Sequence, residues 1–393
     1  MIVGRGPAAA ALCRALVDRG AAVTVVGPDA GPPRHTLCAF ADQVPSSLVG
    51  AQFPRAIVAS ADGRKDLERP YVRLDPEACV RFPVAAAVID ARVEALLTSG
   101  VSTTAGPMEA DVVVDASGHA PVLVRKGSSA AAYQSAYGVV VDGRDDELPD
   151  GTALFMDWRD HGVDDGGPPS FLYALSCRGR LLLEETTLAS WRPVPTSILK
   201  QRLERRLQRR GTVIDATIDE EVVEFPMGGG LPRRGQRVAA FGAALGLVSP
   251  LSGYSVARSL AHADRVADVL AGPRDGAALV GDAVLDVVWD REGRQRRRLE
   301  RFALRAACAF AQREADAFFS TFFSLPAAQW RGFLDGTAVV DDLRRTMWSL
   351  FGAVSPALRR RLVAGAASLD GLAVAKDLVT APLTARLVPR SAP

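Results

Sequence analysis

The chain opens Met1-Ile-Val-Gly4-Arg-Gly6-Pro7-Ala8-Ala9-Ala10, continues through an Ala/Leu pattern of helical period, and reaches Gly20-Ala-Ala-Val-Thr-Val-Val26. Strand, glycine turn, helix, strand is the entry to a dinucleotide-binding fold of the α/β class. Gly4 permits the tight turn. Gly6 lets the backbone approach a pyrophosphate at the helix N-terminus, where the first turn, Pro7, Ala8 and Ala9, offers the free N–H groups of its alanines and the positive end of the helix dipole. Ala9 replaces the third glycine of the motif, which the motif tolerates. The acid expected after the second strand, to hold a ribose hydroxyl, is absent: Gly27-Pro28 stands there and Asp29 comes two positions late. The strand before Gly4 is short, so a few residues are expected ahead of Met1 in the natural chain.

Two later segments fit the same fold. Glu109-Ala-Asp-Val-Val-Val-Asp115-Ala116-Ser117-Gly118 is a buried parallel strand ended by a small-residue turn, Ala116 to Gly118, where the chain returns to a cofactor. Val238-Ala-Ala-Phe-Gly242 is another strand. It runs through Gly246, Pro250, Gly253 and Tyr254 into a helix, and its small residues let backbone lie against a flat ring system. No acid follows Gly242. Arg73, in a strand leading to a helix capped by Asp75, is a further cofactor candidate.

Between these segments the texture changes. Tyr133–Val141, Leu154–Asp157, Phe171–Leu175 and Arg180–Leu188 are separated by Gly/Asp/Pro loops and read as antiparallel strands of a second sheet. In Arg180-Leu-Leu-Leu-Glu184-Glu185-Thr-Thr-Leu188 the two carboxylates must point to opposite faces, so at least one enters the interior. A buried carboxyl stays protonated and can donate a proton, or it pairs with one of the many arginines.

The composition is globular, with 48% hydrophobic and 23% charged residues, and a net charge of +2 excludes a global field for nucleic acid. Five scattered cysteines without a Cys-x-x-Cys pair fit a reduced, cytoplasmic setting with no zinc site. No run of apolar residues is long enough to span a membrane. Beyond residue 276 the pattern is helical. Phe318, Phe319, Phe322 and Phe323 share one helix face near an arginine-rich stretch, which suits either a core seam or a membrane-surface contact.

Met156-Asp157-Trp-Arg159-Asp160, Leu183-Glu184-Glu185-Thr186, Pro226-Met-Gly-Gly229 and Pro250-Leu-Ser-Gly-Tyr254-Ser-Val-Ala-Arg258 together resemble the lycopene cyclase family, as do Phe318–Pro326 and Trp330–Leu334. The resemblance covers nearly the whole chain, with Leu182 where the family carries Phe. It implies a Rossmann-like FAD-binding domain of the glutathione-reductase type. That domain spans 1–132 and 226–275, with an inserted antiparallel sheet for the substrate at 133–225 and a helical region at 276–393 that touches membrane. The implied reaction is redox-neutral, closing the linear ends of lycopene, a hydrophobic carotenoid, into ionone rings, with FAD in reduced form and NAD(P)H as its reductant. The implied place of work is the inner face of the cell membrane, reached from the cytoplasm. Glu184, or Glu185, is then the acid; Asp157 or Asp160 the base or a tuning group; and Arg159 their anchor.

Overall fold

A computed structural model describes residues 1–273 and 279–365. β1 (Ile2–Val3), α1 (Pro7–Val17) and β2 (Thr24–Val26) form the expected entry motif. The chain then makes β3 (Cys38–Phe40), β4 (Val49–Phe53), β5 (Arg55–Ser60), β6 (Gly63–Asp66) and β7 (Tyr71–Leu74). The short helix α2 (Pro76–Cys79) follows, with the Asp75 carboxylate accepting from the Glu77 and Ala78 amides as its cap. β8 (Ala87–Ile89) returns to the first sheet, and β9 (Val93–Leu97), β10 (Gly100–Thr103) and β11 (Gly106–Glu109) make an antiparallel meander before β12 (Val114–Asp115). Next come β13 (Ala132–Arg144), β14 (Thr152–Asp157), β15 (Ser170–Cys177), β16 (Arg180–Ser190), α3 (Thr196–Arg210), β17 (Val213–Met227) and β18 (Ala239–Ala240). Helices α4 (Val256–Ala271), α5 (Val280–Val288), α6 (Arg291–Ala307), α7 (Gln312–Ser324), α8 (Ala327–Asp335), α9 (Val340–Ala353) and α10 (Pro356–Gly365) complete the described chain.

β18, β12, β1, β2 and β8, in that order, form an all-parallel sheet with α1 and α4 packed against each other beside it. Its strands are short, and the inner ones are buried on both faces, as in parallel sheets, whereas the edge strand β8 is exposed. The second sheet is wider than the segment 133–225. Its order is β17-β13-β16-β15-β14-β5-β6, so two strands from residues 55–66 join it, β5 pairing in parallel with β14. One face of this sheet is covered by α3 through Leu199, Leu203 and Leu207, and the other faces α7 and the aromatic residues near it.

The phenylalanine seam of α7 belongs to that second face. Phe319, Phe322 and Phe323 are buried, Trp158 stacks on Phe319 with ring centroids 4.6 Å apart, and Phe322 meets Phe333 at 5.4 Å. Helical period places these rings on one side but cannot say which way that side turns; here it turns inward, against the membrane-surface reading of this stripe. Nor are the arginines of α6 simply a solvated face: Arg297 is buried and donates to the Gly246 and Gly229 carbonyls. Of the helical region expected over 276–393, residues 276–278 and 366–393 lie outside the described residues.

Phe322→Ala is expected to cost about 3–5 kcal/mol in urea unfolding, the usual range for emptying a packed aromatic site. Unchanged stability together with lost liposome sedimentation would return the seam to the surface.

Candidate active site

Gly4 sits at φ +109°, and a Cβ there would lie 2.5 Å from the Ala116 carbonyl oxygen, so the turn after β1 closes only on glycine. Gly6 is the N-cap of α1, and no side chain caps it. The amides of that first turn are therefore free for an anion. Asp115 fixes the neighbouring turn: its carboxylate accepts from Ser117 N and Oγ and from the Leu123 and Val124 amides at 2.7 and 3.0 Å. Gly242 approaches the same helix start, where a Cβ would meet Ala8 Cβ at 2.5 Å.

A cleft of about 940 Å³ opens above these turns, lined by Gly4, Gly6, Gly27, Asp29, His35 and Ser117 among others. The late acid has a structural reason. A Cβ on residue 27 would lie 3.2 Å from Arg5 Cγ and 3.3 Å from Gly4 Cα, whereas Asp29 reaches the cleft wall and pairs with Arg5 at 3.3 Å. The cradle that a side chain would fill, the bare helix start and a carboxylate at the wall all fit a dinucleotide.

A second cavity of about 390 Å³ adjoins the first, and His35 lines both. Its walls are Phe155, Met156, Phe171, Tyr173, Leu188 and Glu184, with Gly118, Gly253 and Tyr254 on the cleft side. β16 runs through this wall, Leu182, Glu184, Thr186 and Leu188 on one face and Leu181, Leu183 and Glu185 on the other. The two glutamates therefore separate as strand geometry demands.

Glu184 has no ion-pair partner among the described residues, and its accessible part opens onto the cavity. Its one hydrogen bond is from Thr186 Oγ1 at 2.5 Å. Enclosure pushes its carboxyl up to about 7, Thr186 opposes that, and the Glu221 carboxylate adds to it. Around it stand Tyr71, Tyr173 and Tyr254: the Tyr71 and Tyr254 hydroxyls are hydrogen-bonded, and Tyr173 reaches Tyr71 at 3.4 Å. Burial raises the phenol of each and pushes the Cys38 thiol up to about 12, so all remain neutral.

Glu185 is fully buried under α3 and accepts from Arg206 Nε at 2.7 Å and from its second nitrogen at 2.9 Å. The other charged candidates lie on this same side. β14 carries a bulge between Leu154 and Asp157, which turns both Phe155 and Met156 to the cavity and sends Asp157 behind the sheet. There Asp157 binds Arg159 at 2.6 Å and Arg210 at 2.8 Å; burial alone would raise its carboxyl, but the Arg159 hydrogen bond and the surrounding guanidinium groups bring it below the usual range. Asp160 accepts from the Gly162 and Val163 amides in a turn. Glu185, Asp157 and Arg159, expected as acid, base and anchor, form buried ion pairs behind the sheet, Asp160 caps an exposed turn, and none of the four lines the cavity.

Among the cofactor candidates, Gly4, Gly6, Pro7, Ala8, Ala9, Ala116, Ser117, Gly118 and Gly242 gather at the turns, and Pro250, Gly253 and Tyr254 lead into α4. Gly246, at φ +89°, packs between Leu231 and Arg297, and Arg73 is exposed on the small sheet β3-β7-β4; neither lines the cleft. Sequence reading missed Tyr71, Tyr173 and Glu221, which only tertiary pairing brings to the site, and gave Asp115 no role although it lies within the turn that was found.

The fold is shared with a geranylgeranyl bacteriochlorophyll reductase-like protein of Thermoplasma acidophilum (TM-score 0.66, 12% identity, 93% of this chain and 98% of that one). It is shared as well with BrvH, a flavin-dependent halogenase of Brevundimonas sp. BAL3 (TM-score 0.55, 14% identity, 98% and 97%). The α/β fold is thus one shared with FAD-dependent oxidoreductases and halogenases. Within it, residues 1–360 match the family profile described as lycopene cyclase protein. An uncharacterized carotenoid cyclase of Deinococcus radiodurans is 35% identical over 96% of this chain and 97% of its own, and a chloroplastic lycopene beta cyclase of an Oncidium hybrid is 30% identical over 92% and 83%. The chain belongs to the lycopene cyclase family.

Removing one member of the buried pair, as in Arg206→Leu, is expected to cost about 3–5 kcal/mol in chemical unfolding. Glu184→Gln should act the other way. With a folded value of about 7 against an ordinary 4.5, wild type loses stability as pH rises from 4.5 to 7, because its unfolded form ionises first. The variant should be more stable by up to about 3 kcal/mol at pH 8, the gap closing toward pH 4. A gap that does not vary with pH would mean that Glu184 is not held neutral.

Proposed function

We propose that this chain is a flavin-dependent, redox-neutral cyclase that closes the linear end groups of lycopene to β-ionone rings, with Glu184 as the proton donor. The observation that carries the reading is Glu184 itself: an unpaired carboxyl, kept protonated near neutral pH, on the wall of an aromatic cavity. A polyene offers no heteroatom to activate, so its terminal C=C bond must be protonated by an acid in a dry site.

Glu184 delivers that proton, and the neighbouring double bond of the substrate attacks the tertiary cation to close the ring. Phe155, Phe171, Tyr71, Tyr173 and Tyr254 exclude water and surround the cation with electron-rich ring faces. With Asp157 and Asp160 behind the sheet, the carboxylate left on Glu184 is the base available to take the ring proton, which restores the acid without a second group. The first turn of α1, Gly4, Ser117 and Asp29 would hold FAD, and the segment from Gly242 to Tyr254 would border its ring. Bound there in reduced form, with NAD(P)H as outside reductant, FAD supplies negative charge that stabilises a nearby cation. No described helix is long and apolar enough to cross a membrane; a substrate this apolar places the protein at the inner surface of the cell membrane, entered from the cytoplasm.

The test is an anaerobic incubation with lycopene in liposomes, FAD and NADPH, read by chromatography. Wild type should yield ring-bearing products of unchanged mass, and Glu184→Gln none while keeping its flavin spectrum. Near-normal product from that variant would remove Glu184 as the acid. NADPH consumption in step with product would instead indicate a reductase or monooxygenase.

A further inference from the structure

Glu184 has a counterpart two strands away. In the register of β13, Gly138 lies opposite Glu184 on β16 and opposite Glu221 on β17. Cross-strand partners share a face, so the two glutamates stand in one row on the cavity side with a glycine between them, their Cα atoms about 10 Å apart by strand spacing. The gap is needed: a Cβ on residue 138 would come within 3.1 Å of Glu184 Cβ and 3.2 Å of its Cγ.

Glu221 is 7% exposed, and both of its oxygens are engaged. The Thr36 amide donates to one at 2.8 Å and the Thr36 hydroxyl to the other at 2.6 Å. The ionised carboxylate, which only accepts, satisfies both contacts. Thr36 lies in the segment that carries His35 between cleft and cavity, so Glu221 also ties that segment to the sheet.

We propose that Glu221 is a positioning residue: its negative charge, anchored by Thr36 and set one empty position from Glu184, keeps Glu184 in the neutral form that can act as an acid. A carboxylate fixed on the same sheet face makes ionisation of a second, enclosed one more costly, adding to the effect of burial. Among the described residues no cation pairs with Glu184, and the buried Arg69, whose charge reaches Tyr254, is held by Asp42 and Asp335. Cys38 of β3, Tyr71 of β7, Tyr173 of β15 and Tyr254 before α4 are neutral; Arg73 is exposed; His35 is held toward its neutral form by burial; His119 and Glu224 lie at the outer wall. The role rests on the reading of Glu184 as the acid, and its test is chosen to be independent of that reading.

The protonation of Glu184 is read directly from its carboxylic C=O infrared band in the purified protein, identified by its loss in Glu184→Gln. In Glu221→Gln the band should titrate about one pH unit lower than in wild type, and Glu221→Asp should restore most of the shift. Cyclisation by Glu221→Gln should fall about tenfold at pH 7.5 and stay within about twofold of wild type at pH 5.5, since only the alkaline limb moves. An unshifted band overturns the proposal, as does a loss of activity equal at both pH values. If Glu221→Gln fails to fold, Glu221→Asp against Glu221→Asn carries the same charge contrast. Should Glu184→Gln remain active, Glu184 is not the acid, and the infrared titration still decides whether Glu221 governs its charge.

Discussion

A β-strand can offer successive side chains only to opposite faces, and on β16 that constraint divides two neighbouring glutamates into unlike chemical species. Glu185 turns toward α3, whose Arg206 meets it in a fully buried bidentate pair. Glu184 turns toward the cavity, where no cation meets it. The difference lies in what each face packs against. α3 brings Arg202, Arg206 and Arg210 down onto the sheet, and Asp145, Glu147, Asp157, Asp165 and Glu185 answer them. The opposite face is answered by tyrosine, phenylalanine and thiol. A slip of one residue would turn Glu184 toward α3 and Glu185 toward the other face, and the Arg206 pair and the cavity carboxyl could not both be kept. The ion network behind the sheet thus holds the register on which the cavity depends.

The two cavities are joined by equally local means. Gly4 packs on the Ala116 carbonyl and Gly242 on Ala8, so three turns from distant parts of the chain converge at the start of α1. Tyr254, at the end of the third, reaches across to Tyr71 and closes the substrate side. The cleft and the aromatic chamber therefore share a wall made from a few backbone turns, which brings a bound dinucleotide and an apolar substrate to opposite sides of the same short segment.

Much of this is legible in the order of residues along the chain. The turn around Gly4 and Gly6 announces itself because its chemistry is local, and the opposition of Glu184 and Glu185 follows from strand period alone. The family resemblance is likewise carried by contiguous motifs. What escapes depends on pairing between distant segments. β5 and β6 join the large sheet from residues 55–66, and no pattern in those residues names β14 as the partner. The bulge in β14 reverses the face of Asp157, which a two-residue alternation assigns wrongly. Glu221 acquires meaning only from its register with Gly138. The late position of Asp29 finds its reason in the crowding at residue 27, where a Cβ would press on Gly4 Cα and Arg5 Cγ.

The threading of the two sheets has a consequence for how the protein comes into being. β1 and β18 belong to one five-stranded layer although residues 2 and 240 mark its limits in the chain, and β5 must await β14 nearly a hundred residues later. On the ribosome, the large sheet cannot close until the chain has emerged past residue 227, nor the parallel layer until it has passed residue 240, so neither layer matures early in synthesis. The nascent chain carries unpaired strand edges, and the sheet face that α7 later covers, in the open until late, the condition under which chaperones engage a polypeptide. The same threading makes residues 132 and 226 sites where cutting the gene would yield no self-sufficient fragment, because each piece would lack strands that only the other encodes.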